Sequence, residues 1–180
     1  MLAYDATMSS DTAASPPILS ERAREIVAAA RELLEQEGEI SMRRLADRLG
    51  IKAPSLYKHL PGKPALEAAI ISDAFLEAAE RFEAAATLEE LGAAYRAFAL
   101  AHPHVYRLMF NGPLPRERLV PGAEARAAAP IIAAVGGDPD RARALYAFAH
   151  GMVILELDGR FPDDADLAAA WAAGLRGQTP

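Results

Sequence analysis

The sequence has no cysteine, which excludes disulfides and thiolate metal sites and suits a reducing cytoplasm. No apolar run reaches the roughly 18 residues of a membrane-spanning helix, so no membrane partner is expected. The segment Met1–Pro17 has neither a basic start nor an apolar stretch, so no signal peptide is expected and the localisation read is cytoplasmic. β-Branched residues are few and alanine is abundant, which favours helix over sheet. There is no nucleophile elbow, no Gly-rich phosphate loop and no paired-carboxylate pattern. His102, His104 and His150 lack the spacing and acidic partners of a metal site and read as ordinary core or surface histidines. Asp163, Asp164 and Asp166 read as a helix start rather than a cation site. The expectation is therefore no enzyme, no catalytic residue, no metal and no cofactor.

What is present is apolar material and uneven charge. Hydrophobic residues make up 52% of 180, enough for a real core. The net charge is −6, which argues against nucleic acid until its distribution is read. Between positions 41 and 63 stand Arg43, Arg44, Arg48, Lys52, Lys58 and Lys63 against Asp47 alone. A basic island in an acidic chain suits local phosphate contact, and the acidic remainder limits nonspecific adhesion. By itself the island reads equally well as a solvated helix face.

Helix punctuation then runs the length of the chain. Ser20 caps a first helix carrying Ile26, Ala29, Ala30, Leu33 and Leu34 in one stripe, and Gly38 ends it. Ser41 caps a second, with Leu45 and Leu49 inward and Gly50 closing it. Pro54 opens a third through His59, which stops at Pro61-Gly62. A fourth runs from Pro64 to about Ala85. Thr87 caps a fifth and Pro103 opens a short sixth. A seventh ends at Gly136-Gly137. Asp138-Pro139 starts a long eighth, and Asp163 or Asp164 is expected to cap the last. The fold class is all-α. The organisation read is a disordered tail at 1–17, a three-helix N-terminal domain at 18–63, and a larger helical bundle at 64–180.

The stretch from Ser41 to Lys63 places a helix, a Gly turn and a second short helix in sequence, as a helix-turn-helix requires. Ala46 is small where two helices cross. Ile51 and Leu56 anchor the second helix against Leu45 and Leu49. That leaves Lys52, Ala53, Pro54, Ser55, Tyr57, Lys58 and His59 facing outward or flanking a groove. Tyr57 is read as a surface residue on account of its neighbours Lys58 and His59, the alternative being a core aromatic.

The run LADRLGIKAPSLYKHLPGKPAL, Leu45 to Leu66, resembles the signature of the TetR family of transcriptional regulators. Downstream, HPHVYRLMF (His102 to Phe110) and LYAFAHGMVILELDGRF (Leu145 to Phe161) are similar to a C-terminal domain of that family. The resemblance implies a DNA-binding regulator acting as a homodimer on a palindromic double-stranded operator, with repression the usual sign. It implies that Arg43 reaches a guanine edge and that Pro54 and Ser55 touch bases. It assigns phosphate contacts to Tyr57, His59 and Lys63. Ala53 stands where many members have a polar base reader, Leu60 where an aromatic is common, and Tyr146 where tryptophan is usual. A ligand would act by shifting the population toward a state whose reading heads are misplaced.

Two further expectations concern the second half. Phe75 and Phe82, seven apart on one helix face, with Tyr95, Phe98, Tyr106, Met109 and Phe110, are large side chains among many alanines. They either interdigitate fully or leave a pocket for a small, neutral, apolar or aromatic ligand. Leu145, Phe148, Met152, Leu155 and Gly159 on one helix, and Leu167, Trp171 and Leu175 on the next, form stripes that serve a dimer or the monomer core. A regulator whose second half only dimerises and senses no ligand is the competing reading.

Overall fold

The computed structural model describes residues 19–177, so the tail expected at 1–17 lies outside the described residues. Within them are nine α-helices, a single 3-10 turn at Arg116–Arg118, and no strand. The helices are α1 (Glu21–Glu37), α2 (Met42–Arg48), α3 (Ala53–Tyr57), α4 (Lys63–Glu83), α5 (Leu88–Ala101), α6 (Pro103–Phe110), α7 (Ala123–Ala134), α8 (Pro139–Leu157) and α9 (Leu167–Arg176). The all-α class follows from the pattern of caps and breakers. None of the described helices is long and apolar enough to cross a membrane.

Local chemistry accounts for most helix ends. Ser20 Oγ accepts the Ala23 N–H at 3.1 Å, and Gly38 ends α1 at φ 77°. The side chain of Asp138 accepts the N–H groups of Asp140 and Arg141, and Pro139 follows at the first helical position. The last helix departs from expectation. Its cap is Asp166, whose Oδ1 accepts the Ala169 N–H at 2.9 Å, not Asp163 or Asp164. Those two lie in a turn closed by the Ala165 N–H on the Pro162 carbonyl, so the helix starts one turn later.

The chain packs as two compact units that do not follow chain order. The first holds residues 19–75 and 102–123. In it α1 packs on both α2 and α6, and α2 packs on α3. Ile26, Ala30, Leu33 and Leu34 of α1 are buried, as are Leu45, Leu56, Leu60, Leu66, Val105 and Tyr106. Each large side chain among them contributes about 1.5–3 kcal/mol of transfer free energy. Buried Ser72 donates to the Ala68 carbonyl at 2.8 Å and accepts the Val120 N–H at 3.0 Å, tying the segment after α6 to α4.

The second unit holds residues 76–101 and 124–177. There α8 packs on α5 and α9, and α5 on α9. Glycines permit the close approaches. A Cβ at Gly92 would lie 2.6 Å from Leu175 Cδ1, and one at Gly174 would lie 2.0 Å from Phe148 Cζ. Arg96 adds a two-pronged ion pair from α5 to Glu156 of α8, at 2.8 and 2.5 Å.

Candidate nucleic-acid interface

The first unit presents α2 and α3 as a helix-turn-helix. Ser41 Oγ caps α2 through the Arg44 N–H. At the other end Gly50 takes φ 64°, its N–H bonds to the Asp47 carbonyl, and the Ile51 N–H reaches back to the Ala46 carbonyl at 3.0 Å. That pair of bonds is a Schellman closure. It needs a left-handed residue after the helix, which glycine supplies without a Cβ penalty. The chain is thereby turned into α3, which starts at Ala53 with Pro54 in its first turn. Leu45, Ala46 and Leu56 fill the angle between the helices.

The outward face is what remains. Arg43, Lys52, Pro54, Lys58, His59 and Lys63 are exposed and Ser55 is half-buried. Tyr57 is 52% exposed, which settles its choice between core and surface. Leu60, in the position where the resemblance expects an aromatic, is buried and fills the core beneath this helix.

The six cations of the island divide by partner. Arg44 is paired to Glu37 of α1. Arg48 is paired to Glu32 at 2.6 Å and also donates to Gln36 at 2.7 Å. Lys63 stands 3.6 Å from Glu67. Arg43, Lys52 and Lys58 have no ion-pair partner among the described residues. Such a face offers three free cations, a phenol hydroxyl, an imidazole and a small apolar ring, spread over α2 and both ends of α3. These groups suit phosphate oxygens and base edges.

Comparison with known proteins agrees. The family model described as bacterial regulatory proteins, tetR family, matches residues 26–70, and the tetracyclin repressor-like C-terminal domain matches residues 88–177. An uncharacterized HTH-type transcriptional regulator of Mycobacterium tuberculosis is 32% identical over 177 residues, covering 86% of this chain and 81% of that protein. The chain belongs to the TetR family.

Two solved structures extend the likeness. The regulatory protein SCO4313 superposes with a TM-score of 0.73 at 28% identity, covering 87% of this chain and 94% of that one. A TetR variant from Acinetobacter baumannii, in complex with minocycline, gives 0.59 at 28% identity, covering 85% and 91%. As a member of the TetR family this protein is a DNA-binding transcriptional regulator of helix-turn-helix type.

The second unit carries three of the seven aromatic and methionine residues read as pocket candidates. Phe82 stacks on Tyr95 with centroids 5.6 Å apart, and the Arg81 guanidinium lies 5.8 Å from the Phe98 centroid. Phe75, Tyr106, Met109 and Phe110 belong to the first unit, where Tyr106 and Phe110 pack at 4.7 Å. A small cavity of about 20 Å³ lies in the second unit among Leu91, Gly92 and Tyr95 of α5, Ile131 of α7, Leu145 and Tyr146 of α8, and Leu175 of α9. Tyr95 alone of the seven lines it. Its volume suits about one water. Beside it Tyr146 stacks on His150 at 5.9 Å. Burial, with the Glu124 carboxylate adding, pushes the Tyr146 phenol up to about 12, and burial lowers His150 from its ordinary 6.5.

The stripe residues of α8 and α9 divide likewise. Leu145, Trp171 and Leu175 are buried in the second unit, and the Phe148 ring packs edge-on to Trp171 at 5.6 Å. Met152 and Leu167 are half-buried, Gly159 is exposed, and Leu155 is 42% exposed. The open face of α8 instead runs through Ala144, Ala147, Gly151 and Leu155.

One contact escaped the sequence reading. Helix α6 opens at His102-Pro103 with no side-chain cap of its own. Glu35 of α1 supplies one. Its carboxylate accepts the Val105 N–H at 2.8 Å and the His104 N–H at 3.3 Å. The sequence does carry the signal that a cap is missing, because His102 is a poor N-cap. It carries none that names Glu35.

Proposed function

We propose that this TetR-family regulator is a homodimeric, ligand-responsive repressor of a palindromic operator. Its contact face is Arg43, Lys52, Pro54, Ser55, Tyr57, Lys58, His59 and Lys63. The observation that carries the reading is the set of exposed cations, Arg43 on α2 and Lys52 and Lys58 flanking α3, that have no ion-pair partner among the described residues and stand beside exposed Tyr57 in a chain of net charge −6. Arg43 has the shape for bidentate contact with guanine and Pro54 for a thymine methyl, while Tyr57, Lys58, His59 and Lys63 serve phosphates.

The homodimer forms through α8 and α9. Since Leu145, Trp171 and Leu175 are buried in the protomer, the partner helix meets the adjacent stripe, Ala144, Ala147, Gly151 and Leu155. Small side chains there allow close helix approach. A twofold axis then makes two reading heads, and the operator repeats as half-sites about one helical turn apart.

Ligand response is supported by the minocycline complex of the Acinetobacter relative, and acts at the apolar cavity lined by Tyr95 and Tyr146. A ligand larger than a water must part α5, α7, α8 and α9, and those helices then carry the differential binding energy that shifts the population. The small cavity favours a second reading, in which this half dimerises and takes no ligand. Selection of bound duplexes from a random DNA pool tests the main reading. A palindromic consensus with half-sites about one turn apart is expected. Recovery of an asymmetric site or of no consensus overturns it. Operator release by small apolar compounds, screened on the same duplex, separates the two readings of the second half.

A further inference from the structure

We propose that Glu37 gates Arg44, and that this ion pair lowers the affinity of the regulator for DNA of any sequence. The proposal rests on the reading that DNA lies against the Ser41–Lys63 face. Arg44 follows Arg43 directly on α2 and its side chain is 58% exposed, so its guanidinium is open to solvent one residue from that face. Its partner Glu37 is the last residue of α1, and its side chain is 29% exposed. Arg48, one turn further along α2, is held differently. It is only 34% exposed and is gripped by both Glu32 and Gln36, which suits it to bracing α1 against α2.

The physics of the Arg44 pair is that of a single exposed contact. Such a pair contributes at most a few-fold to an equilibrium constant, so a phosphate can displace Glu37. The displaced carboxylate then stays beside the phosphate and opposes it. With Glu37 in place, Arg44 and Glu37 together carry no net charge and release almost no counterions from DNA. Nonspecific binding is almost wholly counterion release, whereas specific binding also has base contacts. A phosphate contact common to both modes, when withheld, weakens both by the same factor, so the gate lowers retention on DNA of any sequence and leaves the ratio between the modes unchanged.

The test uses the full chain and a duplex of mixed sequence, with binding followed by fluorescence anisotropy across about 50 to 200 mM salt. Glu37→Gln keeps the length and helix propensity of the side chain while removing its charge. It should tighten binding about two- to five-fold per protomer and steepen the salt dependence by up to about 0.9 per protomer. In an Arg44→Gln background the same change should have no effect. Lys58→Ala is the control for the face itself and should weaken binding. Tightening that persists in the Arg44→Gln background would mean a general charge effect and overturn the gate. No tightening by Glu37→Gln, with Lys58→Ala still weakening binding, overturns the gate and leaves the face standing. If neither change alters binding, the face is wrong and the gate falls with it.

Discussion

Lys58 and Arg48 are both basic, both in the island, and ten residues apart, yet the structure gives them opposite roles. Lys58, the C-cap of α3, is exposed with no ionic partner among the described residues. Arg48 is bound to Glu32 and Gln36. Lys52 and Lys58, with Lys63 loosely held by Glu67, are three cations that can each neutralise one phosphate. A dimer then makes about six such contacts, and log affinity should fall with log salt at a slope of about −5.4. Replacing Lys58 by alanine removes one contact per protomer and should bring the slope to about −3.6. Between about 50 and 200 mM salt the penalty of the variant therefore shrinks about tenfold. Arg48→Ala should leave the slope unchanged and lower only stability, by up to about 1 kcal/mol for an exposed pair. The assay is anisotropy with a labelled duplex at four or more salt concentrations. Equal slope changes for the two variants, or none for Lys58→Ala, would refute the division of the island by ion pairing.

Three other outcomes follow from particular contacts. Arg43→Ala should relax preference at one base position of each half-site by about 1–3 kcal/mol; competition with duplexes substituted at each position in turn would reveal it, and a uniform loss at every position would make Arg43 a phosphate contact instead. Gly174→Ala places a Cβ into the Phe148 ring and should cost about 1–3 kcal/mol. It should lower the melting temperature by about 2–4 °C per kcal/mol. Adding Phe148→Leu should recover part of the loss, and a single variant that melts like the parent would show that the two helices are not held so closely. His150 is favoured neutral by burial, so below its ordinary 6.5 the unfolded chain takes the proton more readily than the folded one. Stability should be full above that pH and decline as pH falls through it, and urea titrations should show a weaker decline in His150→Gln, an equal one counting against the assignment.

Much of this protein is decided by neighbours along the chain. Ser20, Gly38, Ser41, Gly50 and the Asp138-Pro139 pair end or begin helices through bonds to residues at most five positions away, so their effect is readable in one dimension. The same holds for the helix-turn-helix, whose turn depends on a glycine and whose interior depends on Leu45, Ala46 and Leu56 at helical spacing. The exposure of Tyr57 beside Lys58 and His59 was legible for that reason. What sequence could not decide are pairings over long separations. Six like charges in a row of 23 residues look equivalent until Glu32 and Glu37 of another helix neutralise two of them. The missing cap of α6 is filled by Glu35 from 69 and 70 residues away. Leu145, Trp171 and Leu175 have the right spacing for a dimer stripe, but spacing gives only a face and not what that face meets. Packing against α5 turned it inward and left Ala144, Ala147, Gly151 and Leu155 outside. The cavity depends on the same packing, because whether bulky and tiny side chains interdigitate is a matter of three-dimensional fit that no order of residues contains.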